Sequence, residues 1–240
     1  MITQIQKGRQ LRVGFRDNIA SGAAVLALSW VLPPSHLLNT WILPPSLLLI
    51  GYWASGRLFV APMPVLEEGL IAIDRAMRID DIAVRLPAAL VELLEIAYTF
   101  VYPLMPIGVF LALREGIPVE RFWTVVLFTD FICFGMMPFF QTRPPRSVGI
   151  PVPWQSRWRA LNLQVLDASS VQANTFPSGH AAEGLAVALI LSGAAGPVPA
   201  VMFICAFAIS AGAVFGRYHY AADALAGWAV ALAVFFSTGR

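Results

Sequence analysis

Apolar residues gather in blocks along this chain, at about 18–36, 40–58, 86–113, 121–140, 178–195, 197–216 and 220–237. Polar positions are sparse within them, and their lengths approach the ~20 residues that an α-helix needs to cross a bilayer. The pattern predicts an all-α fold, a polytopic membrane helical bundle of six to seven transmembrane helices. The count turns on the first two blocks. They are short, PPSHL joins them, and a second proline pair, LPPS, sits inside the next. Proline removes a helical hydrogen bond and crowds the preceding turn, so this pair is read as two spans or as one kinked hairpin.

Two segments break the apolar pattern. Between Pro62 and Pro87, Leu66, Leu70, Ile73 and Met77 recur at helical spacing, while Glu67, Glu68, Asp74, Asp80 and Asp81 fill other positions. That arrangement fits an interfacial amphipathic helix over 63–83; an extramembrane loop is the alternative. From Gln141 to Thr175 the chain carries Arg143, Arg146, Arg157 and Arg159 with Trp154 and Trp158, a mixture suited to the bilayer interface. Neither an internal repeat nor a low-complexity tail is visible. Residues 1–240 therefore read as a single integral-membrane domain, with its chemistry in a core at 121–237.

Composition sharpens the class. The chain is 58% apolar and 12% charged, with a net charge of +2 and a mean hydropathy of +0.71. A soluble domain carries about twice that share of charge. Nothing in the charge points to nucleic acid, and anionic lipid headgroups suit the few arginines better. Cys133 and Cys205 lie inside apolar blocks and read as small hydrophobes, not as a disulfide frame or metal site. The basic N-terminus, MITQIQKGRQLRVGFRD, runs into an apolar block with no convincing small-residue cleavage site. An uncleaved first span is therefore expected, rather than a signal peptide.

The candidate chemistry lies in three stretches. In TFPSGHAAEG, Ser178 is a good helix cap, Gly179 lets a ligand approach the backbone, and His180 follows at the mouth of a small-residue helix. Such a helix start presents free N–H groups and a positive dipole end, which suit an anion. In GRYHYAAD, His219 and Asp223 stand four apart and share a helical face. Asp223 is placed to fix the tautomer of His219 and leave its other nitrogen free to attack. A structural Asp–His pair is the alternative. In QTRPPR, Arg143 and Arg146 flank a stiff Pro-Pro pair. Their guanidinium forks match phosphate oxygens, as they also match headgroup contacts. If the intervening spans are hairpins, all three stretches fall on one membrane face.

In this order, RP, PSGH and an Arg–His–Asp stretch, the chain resembles the type-2 phosphatidic acid phosphatase superfamily. That superfamily includes lipid phosphatases, undecaprenyl-pyrophosphate phosphatases, vanadium haloperoxidases and inositolphosphorylceramide synthases. The resemblance covers Arg143 to Gly227. It implies that His219 is the nucleophile and forms a phosphohistidine, that Asp223 orients it, and that His180 is the general acid. It implies further that Arg143, Arg217 and the Ser178–Gly179 backbone hold the phosphate. No metal or other cofactor is implied, and no ligand cluster for one is visible. Two positions depart from the family pattern. A lysine usually stands seven residues before the first arginine, where this chain has Met136. An arginine usually stands six residues before the nucleophile, where it has Ala213. Arg146 is a candidate to compensate for the first, and its RPPR context is similar to the inositolphosphorylceramide synthase branch. Arg217 is a candidate for the second, since it shares a face with Ala213 if the helix continues.

Glu92, Glu95 and Asp130 lie in apolar blocks, where such residues usually face the bundle interior; Glu183 follows His180 by three on nearly the same face, and tuning His180, binding a polyol headgroup and solvating the helix start are its alternatives. Glu95, Tyr98 and Tyr102 fall at helical spacing and suit either a headgroup pocket or an interhelical hydrogen bond. The leading expectation is a lipid phosphatase of the plasma (inner) membrane, acting on a lipid phosphate or pyrophosphate among membrane lipids. A phosphotransferase to a polyol or inositol acceptor is the near alternative. A non-catalytic transporter or scaffold is the distant one. Span parity leaves the side of the membrane open, and nothing in the sequence speaks to oligomeric state.

Overall fold

The computed structural model describes residues 35–239 apart from Thr175, and before them only Ala20, Ala23, Ala24 and Ala27. Nearly all of the expected first span, and the basic N-terminus, lie outside the described residues. The described residues form ten α-helices and no strand. A π-helical turn, Leu38–Ile42, leads into α1 (Leu43–Gly56). Then come α2 (Pro64–Ala76), α3 (Ile79–Val84), α4 (Ala88–Thr99), α5 (Val101–Arg114) and α6 (Val119–Gly135). After the arginine-rich segment follow α7 (Arg157–Ser169), α8 (Gly179–Ile190), α9 (Val198–Phe215) and α10 (Ala221–Ser237).

The block at 86–113 is not one rod. α4 and α5 meet at Phe100 with a bend of 63°. Pro103 explains the break, because it cannot donate to the Thr99 carbonyl and its ring crowds that group. The segment expected at 63–83 is helical but divided. Arg78, between α2 and α3, takes a left-handed φ of 56°. Its inward face is partly polar: Glu67, Leu70 and Asp74 are buried, while Ile73 and Met77 are exposed.

α8 is the axis of the bundle. It packs against α5, α6, α9 and α10, and every residue from Gly179 to Ile190 is buried except His180 and Glu183. Its sequence, GHAAEGLAVALI, supplies the small side chains that such crowding demands. α10 comes so close that a Cβ on Gly227 would lie 2.5 Å from the Ser178 carbonyl oxygen.

Among the described residues, α9 is long and apolar enough to cross a membrane, and the bent pair α4–α5 passes if it counts as one span. α8, extended to Gly193, and α10 are shorter apolar helices. Outside, Phe110, Phe128, Ile204, Phe207 and Phe236 are all more than half exposed.

Candidate active site

Hydrogen bonds join the three motif stretches directly. Asn174 donates its backbone N–H to the Thr142 carbonyl at 2.9 Å. Its side-chain Nδ2 donates to Thr142 Oγ1 at 2.9 Å and to Asp223 Oδ2 at 2.9 Å. The Ser178 N–H donates to the Asp223 carbonyl at 2.9 Å, and the Arg146 N–H to the Arg217 carbonyl at 3.1 Å. Segments separated by α7 and by the α8–α9 hairpin thus form one continuous hydrogen-bonded surface.

Ser178 caps α8, its hydroxyl accepting from the Ala181 N–H at 3.3 Å. His180 therefore sits in the first turn, beside the helix's free N–H groups. Gly179 lets Phe134 of α6 pack against this end, since a Cβ there would lie 3.2 Å from its ring. His219 stands in the short loop between α9 and α10, its ring centroid 5.7 Å from that of His180. Asp223, in the first turn of α10, brings Oδ2 to 3.4 Å from His219 Nδ1. That is an electrostatic contact looser than a good hydrogen bond. The same oxygen accepts from the Tyr220 N–H at 2.8 Å and from Asn174, so the carboxylate is fixed behind the imidazole. Burial, reinforced by the charge of Arg146, pulls His219 down to about 3. The ring is neutral, as a nitrogen nucleophile requires.

The arginines divide. Arg146 lies near the histidines, close enough for its charge to act on both. It lies 5.7 Å from the Tyr218 ring centroid, and Nη1 donates to the Tyr218 carbonyl at 3.4 Å. Arg143 is gripped by Glu67 of α2. Nε donates to Oε1 at 3.0 Å, Nη2 to Oε2 at 2.7 Å, and the backbone N–H to Oε1 at 2.7 Å. Burial pushes Glu67 up, but these bonds outweigh it and hold the carboxyl below its usual range. Arg217 corrects the sequence reading. α9 stops at Phe215, and Arg217 takes a left-handed φ of 60°, so it does not share a face with Ala213. Its guanidinium is buried against Asp74, at 3.6 Å, and Asp80. Ala213 is itself buried in an apolar cluster with Tyr98, Leu166 and Tyr218.

Several contributors carry no motif signal. Tyr98 stacks on Tyr218 at 3.8 Å and on His180 at 5.2 Å, and Tyr102 meets His180 edge-on at 6.2 Å. These tyrosines wall the site on its α4–α5 side. Glu95 is fully buried behind them. It accepts from Tyr218 Oη at 2.6 Å, Asn162 Nδ2 at 2.9 Å, Arg159 Nη1 at 3.2 Å and Trp154 Nε1 at 3.3 Å. Of the two roles open to Glu95, the structure assigns the interhelical hydrogen bond. Asp74 and Glu67 were visible only as polar positions on an amphipathic segment; their seven-residue spacing on one face was the available signal. Asp130 and Glu183 act on each other across α6 and α8, and both oxygens of Asp130 lack a hydrogen-bond partner.

Among the described residues, no group of three or more His, Cys, Asp or Glu side chains is placed to hold a metal ion. The family model of the PAP2 superfamily matches residues 68–237, well over half of the chain. Neither comparison with curated proteins nor comparison with solved structures finds a match.

Proposed function

The chain belongs to the PAP2 superfamily, and from that premise we propose that it is an integral-membrane lipid phosphatase working through a phosphohistidine. One observation carries this reading. The ring centroids of two histidines stand 5.7 Å apart, one at a capped helix start and the other backed by an anchored carboxylate, with the charge of Arg146 near both. Such a gap accommodates a tetrahedral phosphoryl group between an attacking nitrogen and a proton donor.

In this mechanism Nε2 of His219 attacks phosphorus in line. The bond from phosphorus to the lipid oxygen breaks while His180 passes its proton to that oxygen. A phosphate anion beside His180 favours the protonated ring the step needs. Water then attacks phosphorus, gives its proton to His180, and the phosphorus–nitrogen bond breaks to release inorganic phosphate. Arg146 and the Ser178–Gly179 end of α8 stabilise the equatorial oxygens. Arg143 joins them by exchanging Glu67 for phosphate. Arg217 remains with its carboxylates.

The substrate's tail stays in the bilayer. The exposed aromatic and aliphatic surface of α5, α6, α9 and α10 supports a membrane setting, as does the exposed apolar edge of α2. On this reading the bundle has six to seven spans, counting the shorter helices, and sits in the plasma (inner) membrane among lipids that serve as substrate.

The test is phosphate release by the purified protein from a lipid monophosphate and a lipid pyrophosphate in mixed micelles. Turnover with an acid-labile phosphoryl-enzyme, both lost in His219→Ala, is the expected result. Undiminished turnover in His219→Ala sinks the mechanism. Transfer of phosphoryl to an added polyol in preference to water moves the assignment to a phosphotransferase.

A further inference from the structure

The loop from Gly216 to Tyr220 holds His219, and its own conformation is unusual. α9 ends with the N–H groups of Tyr218 and His219 both donating to the Ala213 carbonyl, at 2.9 and 3.0 Å, and that of Arg217 donating to Val214 at 3.1 Å. This helix end needs a left-handed residue, and glycine is its usual occupant. Here the residue is Arg217, with φ 60°. A side chain in that conformation costs roughly 1–2 kcal/mol, so something must hold it.

Asp74 of α2 holds it, and grips the far end of the loop as well. Oδ2 lies 3.6 Å from Arg217 Nη1, and Oδ1 accepts from the Ala221 N–H at 2.9 Å. Ala221 is the first residue of α10, so the carboxylate also sits at a helix start, where its charge is favoured. Arg217 and Ala221 bracket His219 two residues to either side. Asp74 is 3% exposed and Arg217 1%, so the clamp is shielded from water. Asp80 adds a second contact to Arg217 from a largely exposed position, where an ion pair contributes little.

We propose that Asp74 is a positioning residue: through Arg217 and the Ala221 amide it fixes the loop that aims His219 at phosphorus. The proposal rests on His219 being the nucleophile. It assigns Arg217 to the loop, not to the phosphate, and gives the α2 segment a place in the reaction.

The test compares Asp74→Asn, Asp74→Ala, Arg217→Gln and the double variant Asp74→Asn/Arg217→Gln in the phosphate-release assay, on protein that melts cooperatively in the same detergent. Asparagine keeps an oxygen for the Ala221 N–H, so Asp74→Asn is the milder lesion if Asp74→Ala does not fold. Asp74→Asn and Arg217→Gln should each lower kcat by roughly 10- to 100-fold, as misaimed reacting groups do, with KM within about twofold of wild type because neither side chain touches substrate. The double variant should be no worse than the poorer single one, since both break one clamp. An unchanged kcat in Asp74→Asn overturns the proposal. So does a raised KM with intact kcat in Arg217→Gln, which would return Arg217 to the phosphate. Additive losses overturn it too. An inactive wild type is a different failure, because it removes the phosphatase reading itself.

Discussion

Replacing Gly227 with alanine adds a single methyl group where α10 meets the cap of α8. The new Cβ would lie 2.5 Å from the Ser178 carbonyl oxygen, 3.2 Å from the Ala182 nitrogen and 3.4 Å from the Ala182 Cβ. A carbon and a non-bonded oxygen settle at roughly 3.3 Å, so the two helices must part or tilt by roughly 0.8 Å. Ser178 donates to the Asp223 carbonyl across this same contact, at 2.9 Å, so the displacement falls between the stretch carrying His180 and the stretch carrying Asp223. Overpacking of this kind costs ~1–3 kcal/mol of stability, which a folded bundle survives. A shift of ~1 Å at reacting groups, by contrast, can cost ~100-fold in rate. Gly227→Ala is therefore expected to fold, melt somewhat lower, and release phosphate with kcat reduced roughly 10- to 100-fold. Gly184→Ala is the matched control on α8. Its Cβ would meet the Ala206 Cα at 3.4 Å, an ordinary contact, and its kcat should stay within about twofold of wild type. The assay is steady-state phosphate release beside a thermal melt in the same detergent. Normal turnover in Gly227→Ala, or an equal loss in Gly184→Ala, would refute the claim that this helix contact sets the site's geometry.

Glu95→Ala strips the acceptor from four donors at once, one of them charged, and should cost about 3–5 kcal/mol, or roughly 6–20 °C in melting temperature; a melt within a degree of wild type contradicts the buried-hub reading. Arg146→Gln removes the guanidinium whose charge acts on both histidines and should lower kcat/KM for phosphate release roughly 10- to 100-fold. Arg143→Gln should lower it less, because Arg143 is already engaged by Glu67. The pH dependence of stability has opposing contributions. His219 binds its proton near pH 3 in the folded protein and near 6.5 when unfolded. Over that window the unfolded state holds more protons, and stability falls as pH drops. Asp74 is raised to about 6 by burial, with Asp223 and Asp80 adding to it against the Ala221 amide and Arg217. It works in reverse, since its folded form takes up a proton first. Comparing wild type with His219→Gln cancels Asp74. The wild type should lose up to about 2 kcal/mol more than the variant between pH 6.5 and 5; parallel melts would show that His219 is not held neutral.

The start of α8 was legible because PSGH states it locally: a cap, a permissive glycine and a run of small residues. The joining of the three stretches was foreseeable from hairpin parity, and hydrogen bonds through Asn174 realise it. Asn174 itself carried no pattern to announce it. The placement of Arg217 differs from the expected helical face because a helix end is decided by a few backbone bonds. One left-handed residue turns a side chain to another face, and arginine gives no local warning of it. In the sequence Glu67 and Asp74 are polar positions of an amphipathic segment. Burying a carboxylate on such a helix is favourable only beside partners that arrive from elsewhere in the chain, here Arg143, Arg217 and the Ala221 amide. Hydrophobic periodicity reports which positions avoid water, not which polar ones have found a partner. The broken block at 86–113 was within reach, since Pro103 stood in view.

That break has a consequence for His180. On a straight helix Tyr98 and Tyr102, four residues apart, would project side by side in the same direction. The 63° bend between them lays one ring nearly parallel to the imidazole, at 19° to it, and the other nearly perpendicular, at 84°. Two rings set nearly at right angles to each other constrain the orientation of the imidazole between them. In the proposed mechanism, the orientation of the ring that hands over the proton therefore traces back to Pro103, a residue that lies in none of the three motifs.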